Sequence, residues 1–343
     1  MKMRYLLRLF TVTLTFLLSL PVLATSEEER LVWRFGLEEI DGSVQDIYAK
    51  EFKRRIEEKS AGQVTVDIYS YGTLGESEDL TALTSLGTLQ MTHASVGIIG
   101  SLVPEMQVFN IPYIFSQHDK LNQSVLTNNA TLYEVVGNAL IDQELRLMTF
   151  YLEGDMVWST NTEIVKPDDF KDFRMRVMNS PLVIESFRVY GADTIPLPYS
   201  QVYGALQANI VDGQSNPVFS IEEMKFYEVT EYMIWSGKQK FTTSVIANQA
   251  WYLSLSAEHK TLLRDTFEEM SDFIFEKQQA LNKAQLTKIK EFKPSMTFIT
   301  LTRAQQNAFR KFSVPIRERY IELAGQPGER LLKALDEAFG NKK

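Results

Sequence analysis

The amino-acid sequence alternates strand-like and helix-like segments in two successive runs, with no linker between them. In the first run, residues 31–37 are a predicted strand, and Ser43 precedes an apolar stripe at helical spacing. Residues 64–68 alternate as a second strand, and a leucine-bearing helix leads to a third strand over 89–96. This order predicts a parallel sheet with helices on its faces.

The same alternation starts again after Glu144. Residues 145–151, 173–177 and 210–212 are predicted strands, and Ser180 followed by proline is typical of a helix start. Ser200 is expected to cap a short helix that runs to Leu206. Residues 256–292 contain no glycine or proline and favour one or two long helices. A helix of about 30 residues is roughly 45 Å long, enough to pack on both α/β units. The sequence therefore predicts two α/β lobes with a helical spine across them.

The length of the chain also fits two domains, at roughly 100–200 residues each. Because no linker separates them, strands are expected to cross between the lobes. Lobe I is predicted over 25–152 plus about 242–281. Lobe II is predicted over 153–241 plus about 282–343.

The N-terminus has the pattern of an export signal. Lys2, Arg4 and Arg8 accompany a short apolar run that ends in Val-Leu-Ala at 22–24. A transmembrane span needs roughly 20 apolar residues, and this run is shorter. Residues 1–24 are therefore predicted to be a signal peptide, with an uncleaved N-terminal anchor as the alternative.

Charge and composition exclude several classes of function. The formal net charge is −8, or about −11 without the basic leader, so nucleic-acid binding is not expected. The chain has no cysteine, which excludes lipoprotein anchoring, thiol catalysis and cysteine-based metal sites. His93, His118 and His259 lie far apart, and no nucleotide, phosphate or calcium motif occurs. No catalytic residue, metal or cofactor is predicted.

Three charged side chains stand where predicted strands end. In open α/β sheets, ligands bind outside the carboxyl ends of the strands. Glu38 and Glu39 follow the first strand, where a solvated turn is the alternative. Arg176 lies near the end of another strand, and its planar guanidinium suits bidentate pairing with a carboxylate. An ordinary surface arginine fits the same pattern.

The most specific pattern lies between Asp169 and Pro217. FKDFRMRV, GADTIPLPYSQVY and VDGQSNP follow one another in this stretch, which resembles the solute-binding proteins of TRAP transporters, the DctP family. Further segments extend the resemblance over nearly the whole chain beyond the leader, at 61–64, 71–75, 109–115 and 326–329.

The resemblance implies a two-lobed α/β periplasmic-binding-protein fold (type II-like), with a ligand cleft between the lobes and a long spine helix. It also implies a periplasmic receptor that closes on a small organic acid and delivers it to the TRAP membrane permease subunits. The receptor is expected to be a monomer, with hinges near 152–154 and 237–241. A periplasmic enzyme, with Arg176 as anchor and Glu38 or Glu39 as base, is the alternative. A protein that presents its ligand to a membrane sensor is a third possibility.

The resemblance also assigns residues to the site. The family's central arginine falls on Arg176, its pocket asparagine on Asn216 and its aromatic ring on Tyr199. Met156 stands where many members carry a second basic residue, and Ser95 where sialic-acid binders hold an acid. A second carboxylate clamp and sialic-acid specificity are therefore not expected.

The remaining candidates concern the ligand class. Glu38, Glu39 and Glu76 offer acceptors that suit ligand hydroxyl groups, and Lys238 is expected to reach the pocket from the returning strand. This mixture favours a hydroxylated monoacid, such as a sugar acid, over a C4-dicarboxylate.

Overall fold

The computed structural model describes residues 30–340, so the predicted signal peptide at 1–24 lies outside the described residues. The strands of the described part are β1 (Leu31–Gly36), β2 (Val64–Tyr69), β3 (Met91–Ser95), β4 (Leu145–Thr160), β5 (Arg174–Val177), β6 (Asp193–Pro196), β7 (Gly213–Asn216), β8 (Tyr232–Asn248) and β9 (Thr297–Thr300). Its α-helices are α1 (Val44–Lys59), α2 (Ser77–Ser85), α3 (Val96–Ile99), α4 (Asp119–Asn128), α5 (Ala130–Ile141), α6 (Pro181–Arg188), α7 (Val202–Gln207), α8 (Val218–Glu223), α9 (Gln249–Ser254), α10 (Ala257–Phe292), α11 (Arg303–Arg310) and α12 (Ser313–Phe339).

One sheet runs through the molecule in the order β2-β1-β3-β8-β4-β7-β5-β6, with β9 beside β8. The strand β1 pairs in parallel with β2 and β3, and β5 pairs in parallel with β6 and β7. Between these groups lie the antiparallel strands β4 and β8, of 16 and 17 residues. We call the part around β1–β3 lobe I and the part around β5–β7 lobe II. The long strands cross from one lobe to the other, as the missing linker suggests.

Helix α1 shows how the sequence pattern builds lobe I. The side chain of Ser43 accepts a hydrogen bond from the backbone N–H of Asp46 at 3.1 Å and so caps the helix. The apolar stripe that follows, which includes Tyr48, Phe52 and Ile56, is at most 1 % exposed. It packs in one core with side chains of β1, β2 and α10. The stripe therefore fixes which face of α1 meets the sheet.

The spine is one helix, α10, of 36 residues. Ser256 caps it by accepting from the backbone N–H of His259 at 3.1 Å. Its first half buries Leu263 and Ile274 in the core of lobe I, and its last turns bury Ile289 in the core of lobe II. The predicted spine across both lobes is present.

The C-terminal helix departs from the predicted domain boundaries. A kink at Gly325, where φ is 62°, divides α12. Its apolar side chains, among them Tyr320 and Leu335, join Phe109 in a core of lobe I. The predicted assignment of all of 282–343 to lobe II therefore does not hold for α12, because lobe I covers its apolar face.

Two local predictions in lobe II also need correction. The strand expected at 210–212 begins at Gly213 instead, and Ile210 is 53 % exposed. Ser200, expected to cap a helix, lies in a short 3-10 turn before α7, and its hydroxyl bonds to lobe I. At Ser200 a contact with the other lobe takes the hydroxyl that was expected to cap the helix.

The crossing strands lose register midway. Shifts occur between Leu152 and Gly154 and between Asp155 and Val157, beside the segments predicted as hinges. Gly154 has φ 140°, and a Cβ there would lie 2.8 Å from Nδ2 of Asn282. That Nδ2 donates to the Glu153 carbonyl at 2.7 Å. The spine helix α10 is therefore bonded to the crossing, by which we mean the middle of β4 and β8 where these strands pass between the lobes.

Replacing Gly154 by alanine is expected to lower the free energy of unfolding by at least about 1 kcal/mol, because its φ is unfavourable for an L-residue. Urea unfolding of the mature chain measures this change. Gly137→Ala is the control, since it lies within α5 with no atom within 4 Å of the added Cβ. That variant should be more stable by about 0.5–1 kcal/mol. Equal stability of Gly154→Ala and the parent would contradict the strain at the crossing.

Candidate ligand-binding site

Arg176 is a buried cation at the carboxyl end of β5. It is 4 % exposed, and its Nε and Nη2 donate to the carbonyl of Leu197 at 3.0 and 2.6 Å. Burial lowers its pKa to about 10, so it remains charged at neutral pH. Within residues 30–340, Arg176 forms no ion pair with a carboxylate. A guanidinium held along one edge can pair with a ligand carboxylate through its other edge.

Asn216 and Tyr199 lie at the ends of the neighbouring strands. Asn216 ends β7, is buried, and donates through Nδ2 to Oε1 of Gln214. Tyr199 follows β6, and its hydroxyl donates to Oε1 of Glu223 at 3.0 Å. The three residues that the resemblance assigns to the site therefore stand at one edge of the lobe II sheet.

Three carboxyl groups that we call the acid cluster, Glu39, Glu153 and Glu223, come from both lobes and the crossing. The backbone N–H of Gln45 donates to Oε2 of Glu39 at 3.1 Å, and its Nε2 donates to Oε1 of Glu153 at 3.3 Å. Burial raises the pKa of each of the three carboxyl groups, to about 8 for Glu223. Among the described residues, no lysine or arginine forms an ion pair with the cluster.

Tyr199 interacts with both the arginine and the acid cluster. Its hydroxyl bonds directly to Glu223, and it interacts electrostatically with Glu39 and with Arg176. The site thus contains a buried positive charge and a group of carboxyl side chains that share one aromatic neighbour. It can hold a molecule that carries both a carboxylate and a cationic group.

Glu38 and Ser95 form a separate pair in lobe I. Oε2 of Glu38 accepts from the backbone N–H of Ser95 at 2.7 Å, and burial raises the pKa of Glu38 to about 8. Glu38 Oε1 and Ser95 Oγ are buried and have no hydrogen-bond partner within the part of the chain that the structure describes. Met156 is 4 % exposed and packs in an apolar core of lobe II with Trp158 and Met175.

The structure places Lys238 apart from these groups. Its Nζ donates to Oγ of Ser186 at 2.8 Å and lies 3.5 Å from the ring centroid of Phe187, both on α6. Burial lowers the pKa of Lys238 well below its ordinary value. The expected reach of this lysine into the pocket is therefore not seen, because α6 of lobe II holds its ammonium group.

Glu76 joins the two lobes at the rim of the cleft. Its Oε1 accepts from Oγ of Ser200 at 2.9 Å, and its Oε2 accepts from the hydroxyl of Tyr71. That hydroxyl also accepts from the backbone N–H of Ser200 at 3.2 Å. Both oxygens of Glu76 are engaged, so in the closed form it binds Ser200 rather than a ligand hydroxyl. We call this group the rim contact.

A second contact closes the other side of the cleft. Oγ of Ser101 donates to the carbonyl of Asn179 at 2.7 Å, again from lobe I to lobe II. Next to it, a Cβ added to Gly97 would lie 2.3 Å from the methyl group of Met178. The structure therefore describes the closed form, with the lobes in contact on both sides of the site.

Sequence reasoning missed Glu153, Glu223 and Tyr71. A signal existed for Glu153, which is a lone carboxylate within the otherwise apolar run 150–154. Nothing in the sequence singles out Glu223, because its contact with Tyr199 depends on how α8 packs in the folded chain.

Over residues 30–340, the structure contains no helix that is long and apolar enough to cross a membrane. In the same range, no group of three or more histidine, aspartate or glutamate side chains could hold a metal ion. The acid cluster is therefore not arranged as a metal site.

Comparison with known proteins yields a match over most of the chain. The sequence model of the DctP family, bacterial extracellular solute-binding protein family 7, matches residues 35–323. The ectoine/5-hydroxyectoine-binding periplasmic protein UehA of Ruegeria pomeroyi is 36 % identical over 88 % of this chain and 89 % of its own length. The ectoine-binding periplasmic protein TeaA of Halomonas elongata is 36 % identical over 88 % of this chain and 87 % of its own.

A solved structure agrees with these sequence matches. The periplasmic ectoine-binding protein of the TeaABC TRAP transporter of Halomonas elongata superposes with a TM-score of 0.87 and 34 % identity. The superposition covers 91 % of this chain and 100 % of that one.

Ser200→Ala is expected to shift the empty protein toward the open form, because it removes the hydroxyl donor to Glu76. A hydrogen bond of this kind contributes about 0.5–1.5 kcal/mol, so the ratio of closed to open molecules should fall about two- to tenfold. The chain has no cysteine, so spin labels at Asp67→Cys and Asp193→Cys, exposed on opposite lobes, can report the distance distribution.

Ser254→Ala is the matched control for the rim contact, since that hydroxyl bonds only within its own helix, to the carbonyl of Trp251. Identical distance distributions for Ser200→Ala and the control would show that the rim contact does not hold the lobes together.

Proposed function

The chain belongs to the DctP family of bacterial extracellular solute-binding proteins, and from this premise we propose that its ligand is a small ectoine-like zwitterion. As a member of that family it is a solute-binding receptor of the TRAP type, acts in the periplasm and is not an enzyme. The predicted family, receptor function and location are thereby confirmed.

The observation that carries the proposal is that a buried cation and a buried group of carboxyl side chains, both in contact with Tyr199 or interacting with it, each lack a partner of opposite charge. Arg176 is a buried cation without a carboxylate partner, and the acid cluster lacks a basic partner among the described residues. A buried charge is unfavourable unless it is paired. One ligand with a carboxylate and a cation would satisfy both sides of the site, whereas a purely anionic ligand would satisfy only Arg176.

Ectoine has this chemistry, since it is a flat cyclic amidinium that carries a carboxylate. In the proposed complex, Arg176 pairs with the carboxylate and Asn216 donates a hydrogen bond to it. Glu39 faces the amidinium, and the ring of Tyr199 lies against the delocalised cation, an attraction worth about 1–2 kcal/mol when water is excluded. The names of UehA and TeaA, which refer to ectoine, support this choice.

Closure of the cleft makes both ion pairs effective. Water leaves the site when the lobes meet, and the attraction between charges grows as the surroundings become less polar. Because the ligand contacts Arg176 in lobe II and Glu39 in lobe I, it stabilises the closed form more than the open one. The closed receptor then presents its ligand to the TRAP permease subunits.

A sugar acid, which the sequence pattern favours, is the second candidate. Glu38 Oε1 and Ser95 Oγ are buried and unpartnered within residues 30–340, and they could meet ligand hydroxyl groups. Such a ligand brings no cation to the acid cluster, so at least Glu39 and Glu153 would have to stay protonated. The zwitterion explains more of the site.

Isothermal titration calorimetry should show tight binding of ectoine or 5-hydroxyectoine, and weak or no binding of gluconate, glucuronate, succinate and malate. Arg176→Lys keeps the charge but loses the bidentate fork, so ectoine affinity should fall by about 2–3 kcal/mol. Arg174→Lys is the matched control on the same strand, because Arg174 is bonded to Asp212. That control should keep parental affinity. Equal loss in both variants would refute a direct role for Arg176.

Glu39→Gln separates the two ligand classes. It removes the negative charge that faces the cation, so ectoine affinity should fall by at least about 1.5 kcal/mol. The affinity for any sugar acid that binds should stay within about threefold. Tight binding of a sugar acid with no response to ectoine would overturn the zwitterion proposal.

A further inference from the structure

The carboxyl group of Glu153 is buried, yet it forms almost no bonds that would stabilise the fold. It lies in the middle of β4, at the crossing, and is 0 % exposed. Its Oε1 accepts one long hydrogen bond from Gln45, and its Oε2 has no hydrogen-bond partner within residues 30–340. A side chain that is costly to bury and forms no ion pair with any residue from 30 to 340 points to a role in binding.

The charged and titratable groups around Glu153 offer it no positive partner. They are Glu38 and Glu39 after β1, Tyr48 on α1, His93 on β3, Tyr151 on β4, Glu222 and Glu223 on α8, and Lys225 after α8. Lys225 is paired with Glu222 at 2.7 Å. Nδ1 of His93 lies 2.9 Å from the hydroxyl of Tyr151, and burial lowers the pKa of His93 to about 3.

Gln45 holds Glu39 and Glu153 beside each other. Its backbone N–H donates to Glu39 and its side-chain amide to Glu153, and the two carboxyl groups also interact directly with each other. Two buried carboxyl groups this close cannot both be ionised, because their charges repel in surroundings of low polarity. Burial and mutual repulsion therefore favour a state in which at least one of the two carboxyl groups keeps its proton.

We propose that Glu153 is a specificity-determining residue that shares a proton with Glu39 in the empty receptor, and that this proton leaves for solvent when the cation of the ligand enters. The inference rests on the proposed function, since it requires a cationic ligand. Uncharged or purely anionic look-alikes cannot displace the proton. Such molecules therefore meet a carboxyl pair that still carries its proton, and they form no ion pair with it.

The sign of the pH dependence follows from this exchange. The empty receptor binds more protons than the loaded one, because the cation stabilises the ionised carboxyl groups. Ectoine affinity should therefore fall as the pH is lowered through the range in which the pair titrates, by up to about tenfold per pH unit for one proton. Burial raises the pKa of both carboxyl groups, so this range lies above the one in which an exposed glutamate titrates.

Calorimetry at pH 7 in buffers of different ionisation enthalpy measures the released proton, with ectoine as the probe. We expect about one proton per ectoine for the parent and less than half of that for Glu153→Gln. Glu222→Gln is the matched control, because that carboxyl group is paired with Lys225. It should release as many protons as the parent. Binding of ectoine without any proton release by the parent would overturn the proposal.

The shared proton can also be tested without a ligand, by infrared spectroscopy, in case ectoine does not bind. Infrared spectra of the empty receptor at pH 7 should contain a carboxylic-acid C=O band that weakens in Glu153→Gln and in Glu39→Gln. Circular dichroism checks that each variant is folded, and the second variant serves if the first is not. An unchanged band in a folded variant would refute the shared proton, whereas failure of ectoine to bind would refute the proposed function alone.

Discussion

The binding site depends on burying Arg176 and the acid cluster in one cleft without an ion pair between them. Arg176 is fixed by the carbonyl of Leu197, and the acid cluster is tied to Gln45 and to the crossing strand β4. If the two groups could reach each other, they would form an internal ion pair and the site would be lost. The backbone prevents this, because Arg176 lies near the end of β5, whereas Glu39 follows β1, Glu153 lies within β4 and Glu223 ends α8. The fold thus keeps Arg176 and the acid cluster apart, and in the proposed complex the ligand lies between them.

The sequence predicted those parts of the fold that depend on local patterns. Strand and helix alternation, the capping of α1 by Ser43 and the single long α10 follow from spacing and composition. The resemblance and the strand ends also predicted that Arg176, Asn216 and Tyr199 lie at one edge of the lobe II sheet, and their contact with the ligand stays a prediction. The position of Lys238 could not be predicted, because its direction depends on the irregular register of β8 around 236–239, which turns it toward α6. Ser200 was misassigned for a similar reason, since its partner lies in the other lobe.

The ligand class shows where sequence reasoning stops. The glutamates could be recognised as acceptors, but their protonation depends on burial and on neighbours that only the fold brings together. Glu76 turns out to have both oxygens bonded at the rim, while Glu39 gains Glu153 and Glu223 as neighbours. Glu39, which the sequence suggests as an acceptor for ligand hydroxyl groups, thereby becomes part of a cluster of carboxyl groups that suits a cation. Position along the chain indicates which residues face the cleft, and the three-dimensional environment decides what charge they carry.

Gly97 gives the closed cleft a geometric limit. Its missing side chain lets the Met178 methyl group of the other lobe settle against its backbone. Even one added methyl would act as a spacer, unless Met178 turned away, and would hold the lobes slightly apart. The absence of a side chain at Gly97 therefore sets how closely the lobes approach on this side of the cleft.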